Sequence, residues 1–431
     1  MPQQPGGVRN KIVTLESLQP PVVEEAAGAL ESAAIDKPET RLRAERYLQI
    51  IERLRQETEA NGANVMITVQ DREASILQSE LARQADEVTP LDSGGLEAKF
   101  GTGVGGGDWF GWILSLFDHV DRQQAHPIMR PTTTVPEAMP EVATIAMAAD
   151  WGTGLYGAPK IAEQIRKVGG YELVMHLGDV YYSGTEQEVQ ERFLDLWPRD
   201  AGKRTIAVNA NHEMYSGGFG YFKLALPAFG QTSSYLAFEN THWLLVVLDT
   251  AYVDHDLDNE QVAWLNLVIK QSTERNGGSP KKLVLFSHQQ LFSRLDNQGP
   301  KLQNALRHLL DQRAIAVWYW GHEHQCVIYD RHPSFGLLGR CLGNGGIPEV
   351  RKRDVKNAPT EASVEGVMWK RLSATNESPS CLALDGRNPD IPGEEDKFVP
   401  HGYMTLEFNG PTLVERVHLA NGKEILANQV G

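Results

Sequence analysis

The stretch Tyr171-Glu172-Leu173-Val174-Met175-His176-Leu177-Gly178-Asp179-Val180-Tyr181-Tyr182 decides the fold: an apolar run of strand length breaks at a glycine and delivers an aspartate. Near-continuous apolarity marks a strand covered on both faces, and in that run His176 reads as core. The same design recurs four times. Val142–Ala149 leads into Asp150-Trp151-Gly152, and Arg204–Asn209 into Asn211-His212-Glu213. Lys282–Phe286 leads into Ser287-His288, and Ile315–Trp320 into Gly321-His322-Glu323-His324. Trp243–Leu248 is a further run. Helical stretches at Gly157–Val168, Gln187–Trp197 and Asn259–Thr273 lie between several of them. Alternating strands and helices predict a layered α/β domain. In such sheets ligands gather beyond the carboxyl ends of the strands, where each of the five motifs sits.

Outward from this block the texture changes. Residues 1–140 read as an N-terminal extension, largely helical with Gly- and Pro-rich linkers, and residues 141–431 as the catalytic domain. Leu42, Tyr47, Leu48, Ile50, Ile51 and Leu54 fall at helical spacing within Pro38–Ala60. Val65–Val69 suits a short strand, and Asp71–Ala85 a second helix with Asp71 as its N-cap. Gly101-Thr102-Gly103-Val104-Gly105-Gly106-Gly107 matches a dinucleotide loop on paper, but no strand leads into it, so it reads as a linker. The aromatic run Trp109–Phe117 suits packing on the main domain, or a membrane-surface or protein contact. About 347–400 reads as a loop-rich insertion. Gly402–Phe408, Asn409-Gly410 and Leu413–Leu419 read as a hairpin with an Asn-Gly turn.

With 431 residues the chain has room for one large domain and an accessory region. A net charge of -15 argues against non-specific nucleic-acid binding, which needs a basic face. It does not argue against an anionic substrate where bound cations dominate the local field. Cys326, Cys341 and Cys381 form neither a closed disulfide set nor a C-x-x-C pair. No apolar leader opens the sequence, and its most apolar stretch is too short to span a bilayer. The expectation is a cytoplasmic protein without a transmembrane segment.

The five motifs hold enough oxygen and nitrogen donors for two adjacent cations. Two cations about 3.5–4 Å apart form a clamp for a phosphoryl group. Asp179 is the natural bridge between them. Asp150 and Tyr182 offer anionic oxygens suited to a hard ion such as Fe³⁺. Asn211, His288 and His322 offer neutral oxygen and nitrogen suited to a divalent ion. His324 would point the same way as His322 along an extended backbone.

In order and spacing these motifs resemble the calcineurin-like metallophosphoesterases, whose pattern is D-x-H, GD, GNH, H and G-H-x-H. Gly152 stands where that superfamily commonly has His, and a tyrosine follows Asp179 by three residues. The pair D-x-G with G-D-x-x-Y is most similar to the purple acid phosphatases. The resemblance spans about residues 142–346 and implies a four-layer α/β/β/α sandwich. It also implies a binuclear centre in which Asp150, Tyr182 and His324 hold Fe³⁺ and Asp179 bridges. Asn211, His288 and His322 would then hold a second ion (Fe, Zn or Mn), and His212 would touch phosphate or leaving group. Strict strand alternation, by contrast, puts Tyr181 on the side of Asp179, so Tyr182 requires a turn after the aspartate.

The implied activity is phosphoester hydrolysis by in-line attack of metal-bound hydroxide, favoured at mildly acidic pH. A phosphodiesterase of the same fold is the alternative, as is a non-catalytic binding or regulatory protein on this scaffold. Two departures stand out. Ala210 replaces the glycine of GNH, and no histidine lies between Gln289 and Lys301 to serve the leaving group. His212, assisted by Glu213, is then the candidate general acid. The cluster Arg351-Lys352-Arg353 with Lys356 is placed to bind a second anionic group of the substrate, through Arg351 and Arg353.

Overall fold

The computed structural model describes residues 124–430, together with Gln49, Arg72, Ser75, Ile76 and Ser79. These five isolated positions are helical and fall within the two expected N-terminal helices. The expected strand at Val65–Val69, the Asp71 cap, the glycine run 101–107 and Trp109–Phe117 lie outside the described residues. The chain divides into two units. One is Met1–Ala125 with Tyr215–Gly217, and the other, which carries the motifs, is His126–Met214 with Gly218–Gly431.

The motif-bearing unit is a mixed α/β fold rich in sheet. A two-residue strand, β1 (Glu137–Ala138), comes first. β2 (Val142–Ala148), β3 (Tyr171–His176) and β4 (Gly202–Ala207) then pair in parallel. A second sheet begins with β5 (Leu236–Glu239), β6 (Trp243–Val247), β7 (Lys282–Phe286) and β8 (Ile315–Trp320). It continues through β9 (Cys326–Tyr329) and β10 (Leu338–Leu342), the latter parallel to β8. β6, β7, β8 and β10 all run the same way. All five motifs therefore follow the carboxyl ends of parallel strands.

The stretch expected to be loop-rich at 347–400 instead contains β11 (Thr360–Val364), β12 (Val367–Leu372) and β13 (Cys381–Gly386). These extend the second sheet to ten strands, in the order β1-β5-β6-β7-β8-β10-β9-β13-β12-β11. Their signal is two-residue alternation: Val367 and Trp369 enter the core while Met368 faces outward. Frequent Gly and Pro between the strands hide it. β14 (Gly402–Asn409), β15 (Thr412–Leu419) and β16 (Glu424–Val430) add an antiparallel meander to β2, completing a six-stranded sheet. The turn after β14 is Gly410-Pro411, because Asn409 still pairs with Thr412. The Asn-Gly sequence that does sit in a turn is Asn421-Gly422, between β15 and β16, with Gly422 at φ 84.

Side-chain alternation sorts the strands into three hydrophobic clusters. Ile145, Met147, Leu173 and Met175 of the six-stranded sheet meet Leu245, Val247, Val284, Phe286, Val317 and Tyr319 of the ten-stranded one. The opposite face of the latter packs Leu244, Val246, Leu283 and Leu285 against Trp264, Leu265 and Val268 of helix Asn259–Arg275. The opposite face of the six-stranded sheet packs Ala146, Ala148 and Val174 against Ile161 and Ile165 of helix Ala158–Val168. The stretch expected as a helix at Gln187–Trp197 is a short helix, Glu186–Glu188, capped by Thr185, that widens into a π-helix over Val189–Leu194. Among the described residues no helix is long and apolar enough to cross a membrane.

One buried ion pair crosses between the sheets. Arg340 of β10 donates from Nε to Glu415 of β15 at 2.6 Å, and the Tyr319 hydroxyl donates to the same carboxylate at 3.0 Å. Arg340 also donates to the carbonyls of Tyr329 and Gly339 at 2.7 and 2.8 Å.

His176 lies in the helix-facing core, its ring centre 4.3 Å from Phe193 and 5.1 Å from Trp197. Burial pulls its imidazole down to about 3, so the folded chain keeps it neutral where an unfolded chain would protonate it, near 6.5. The unfolded state then binds more protons between these values, and stability falls as pH drops through that window. At pH 5 this group alone costs about 2 kcal/mol. His176→Phe preserves the aromatic cluster and should remove that loss. Urea unfolding at pH 7 and pH 5 should show the variant's advantage growing on acidification, and parallel curves would refute the assignment.

Candidate metal centre

The site begins with backbone geometry. Among the described residues, Asp150, Asp179, His322 and His324 all have positive φ, at 56, 74, 70 and 51°. A left-handed backbone costs non-glycine residues energy and persists where surrounding structure enforces it, commonly at functional sites. Here the enforcement is visible. Asp150 N donates to Gly178 O, Gly152 N to Asp179 O, and Tyr181 N to Gly152 O, each at 2.9 Å. A Cβ on Gly178, at φ 100, would stand 2.5 Å from the Ala210 Cβ and 2.7 Å from His288 Nδ1. A Cβ on Gly321 would collide with Asp150 Oδ2. Both glycines are therefore steric requirements of the cluster.

Two groups of donors converge with Asp179 in common. Asp179, His288 and His322 offer ligand atoms within 4.8 Å of one another, and so do Asp150, Asp179 and His324. All five are buried. His288 Nδ1 lies 2.8 Å from Leu177 O. A carbonyl only accepts, so Nδ1 carries the hydrogen and Nε2 turns its lone pair inward. That Nε2 is 3.2 Å from His322 Nδ1, which is 3.1 Å from Asn211 Oδ1. Asn211 is itself oriented by Gln289, whose Nε2 donates to Oδ1 at 3.3 Å.

Tyr181, not Tyr182, reaches the other donor group. Its hydroxyl is 2.8 Å from His324 Nε2 and donates to Asp179 Oδ2 at 3.3 Å. The Tyr182 ring instead packs beneath the Arg192 guanidinium, 5.2 Å from its centre. The bridge between Gly152 and Val180, together with the Tyr181 N to Gly152 O hydrogen bond, fixes the backbone that delivers Tyr181 to the donors. The Glu188 carboxylate pins this segment, accepting from the backbone N–H groups of Tyr182 at 2.6 Å and Ser183 at 3.1 Å.

Electrostatics divide the two aspartates. Burial raises the Asp150 carboxyl well above its ordinary range. Burial would also raise Asp179, but His288, His212, His324 and His322 around it outweigh this and hold it low. Burial lowers His288 and His322, the direction that favours the neutral form a metal ligand needs. Burial acts the same way on His324, yet hydrogen bonds with Asp179 and Glu349 raise it to about 10. Glu349 Oε2 lies 3.5 Å from His324 Nδ1, leaving Nε2 toward the two aspartates.

The remaining expected residues are placed as follows. His212 Nδ1 is 2.6 Å from Tyr182 O, and its ring lies 3.9 Å from that of Tyr181. Glu213 accepts from the Asp179 backbone N–H at 3.2 Å, and burial raises its carboxyl. Arg351, expected to face substrate, is held by Asp385 through two hydrogen bonds of 2.6 and 2.7 Å. Arg353 is exposed at the start of helix Arg353–Asn357. Three residues near the site carried no sequence signal: Tyr181 beyond its alternation, Glu349, and His255, whose Nε2 is 3.4 Å from His322 Nε2.

Residues 143–326 match the family model described as calcineurin-like phosphoesterase. Those residues carry a calcineurin-like metallophosphoesterase domain. Solved structures similar to the chain include PhoD, at 15% identity over 70% of each chain with TM-score 0.37. A conserved uncharacterized protein and predicted phosphoesterase from Streptococcus pneumoniae TIGR4 is 12% identical over 67% of this chain and 97% of that one, with TM-score 0.30. Vacuolar Protein Sorting 29 from Cryptosporidium Parvum is 12% identical over 67% of this chain and 98% of that one, with TM-score 0.31. No curated protein matches the chain.

Proposed function

We propose that this domain is a two-metal phosphoester hydrolase of acid-phosphatase type. The observation that carries the reading is the pair of buried donor sets sharing Asp179. Donor atoms of His288, Asn211 and His322, set 3.1–3.2 Å apart, suit a cation between them. Asp179 Oδ1 supports this, being buried without a hydrogen-bond partner among the described residues. Asp150, His324 and the Tyr181 phenol form the harder donor set, suited to Fe³⁺, and the other set suits Fe, Zn or Mn in the divalent state. The arrangement of three hydrophobic clusters supports a four-layer α/β/β/α sandwich beneath the site.

Bound there, such ions would supply Lewis acidity toward the phosphoryl oxygens and lower the pKa of water. The chain's own groups then have separate tasks. Asp179 holds both sites at one carboxylate, and Glu213 fixes the backbone that carries it. His212 keeps its Nδ1 hydrogen on Tyr182 O, which leaves Nε2 as the nitrogen able to meet phosphate or leaving group.

Iron content, colour and turnover of p-nitrophenyl phosphate and its bis-ester test this reading. Metal-loaded protein should hydrolyse at least one ester well above the metal-free protein, and equal rates would reject the hydrolase. Fe³⁺ against a phenolate should colour the protein. Tyr181→Phe should then bleach it at unchanged iron content, whereas Tyr182→Phe should stay coloured. The opposite pattern would return the ligand role to Tyr182, and a colourless parent holding two Zn or Mn would reject iron.

A further inference from the structure

Each metal-facing imidazole of the cluster has an outer partner. For His288 it is the Leu177 carbonyl, and for His324 the Glu349 carboxylate. For His322 it is a second histidine on the loop after β6. His255 adopts φ 57 there, on a turn closed by Asp256 N to Val253 O at 2.7 Å. Lys301 donates from Nζ to Asp254 O at 2.8 Å. At the loop's base, Gln261 donates to Asp249 O at 2.8 Å.

These contacts suit one proton arrangement around a bound ion. His255 Nδ1 lies 2.7 Å from Asp254 Oδ1, and an ionised carboxylate only accepts, so Nδ1 carries the hydrogen. In the neutral ring Nε2 is then an acceptor. It faces His322 Nε2 at 3.4 Å, with the rings crossed at 77°. His322 Nδ1 faces His288 Nε2 and Asn211 Oδ1, so a cation held there would require its lone pair, and Nε2 would then carry the hydrogen toward the His255 acceptor. We infer that Asp254 and His255 form a positioning relay that fixes His322 as an Nδ1 donor to the divalent site. Outer partners of this kind set tautomer and ring orientation, and losing one typically costs 10–100-fold in metal affinity.

The inference rests on the two-ion reading above, and one titration separates them. Metal-free parent, His255→Asn and His255→Gln are titrated with Zn²⁺ by calorimetry, with metal-free melting as the folding control. Asn tolerates the left-handed backbone but is too short to reach His322, whereas the Gln amide oxygen can accept from its Nε2 hydrogen. Parent should bind two ions. His255→Asn should bind one of them about 10–100-fold more weakly with the other unchanged, and His255→Gln should recover most of that loss. Equal two-ion binding by parent and His255→Asn, at equal metal-free melting, overturns the relay alone. A parent that binds fewer than two ions overturns the two-ion reading and the relay with it. Should His255→Asn melt early, Asp254→Ala applies the same criterion from the exposed end of the relay.

Discussion

Asp179→Asn is expected to lower hydrolysis by at least about a thousandfold, on the scale of removing a principal electrostatic stabiliser, while leaving the fold intact. The residue belongs to both donor sets, so on the two-ion reading one substitution would weaken both ions together. Asparagine is the informative replacement, because it tolerates the positive φ of 74° at this position and nearly matches the carboxylate in shape. It also retains an oxygen for the Tyr181 hydroxyl, so the change is confined to charge. Metal content by emission spectrometry and turnover of p-nitrophenyl phosphate should fall together, with the metal-free circular dichroism unchanged. Full activity with two ions per chain would mean that Asp179 does not bridge.

The largest effect on stability should come from the Arg340–Glu415 pair. Both side chains are buried, and each is satisfied mainly by the other and by neighbours from both sheets. Removing one partner strands a charge in low dielectric, which costs about 3–5 kcal/mol, while replacing both with apolar groups can be nearly neutral. Arg340→Met and Glu415→Leu should each lower the urea midpoint sharply, and the double variant should be more stable than either single one. Single variants within about 1 kcal/mol of the parent, the net worth of an ordinary neutral hydrogen bond, would show that the pair does little.

What the sequence made legible follows a physical divide. Apolar runs covered on both faces announced the strands that carry Asp150, Asp179, Asn211, His288, His322 and His324, since burial writes itself into composition. Tyr181 was legible by alternation alone, and the family resemblance pointed one residue further. His255 was not legible: no strand leads directly into it, and its role depends on a loop folding back over His322. Arg351 misled, since a basic cluster in sequence does not reveal Asp385, which binds it from β13. The hairpin strands β11–β13 were hidden by glycine and proline that punctuate short strands as readily as loops.

The candidate donors come from both sheets: Asp150, Asp179, Tyr181 and Asn211 follow β2, β3 and β4, and His288, His322 and His324 follow β7 and β8. What fixes the distance between the two halves is the thickness of the apolar filling, in which Met147 and Met175 meet Phe286 and Tyr319. The oily interior thus acts as a gauge block for the chemistry at its rim. A misplacement of about 1 Å can cost a hundredfold in rate, so the tolerance of this site is machined by side chains that never touch a ligand.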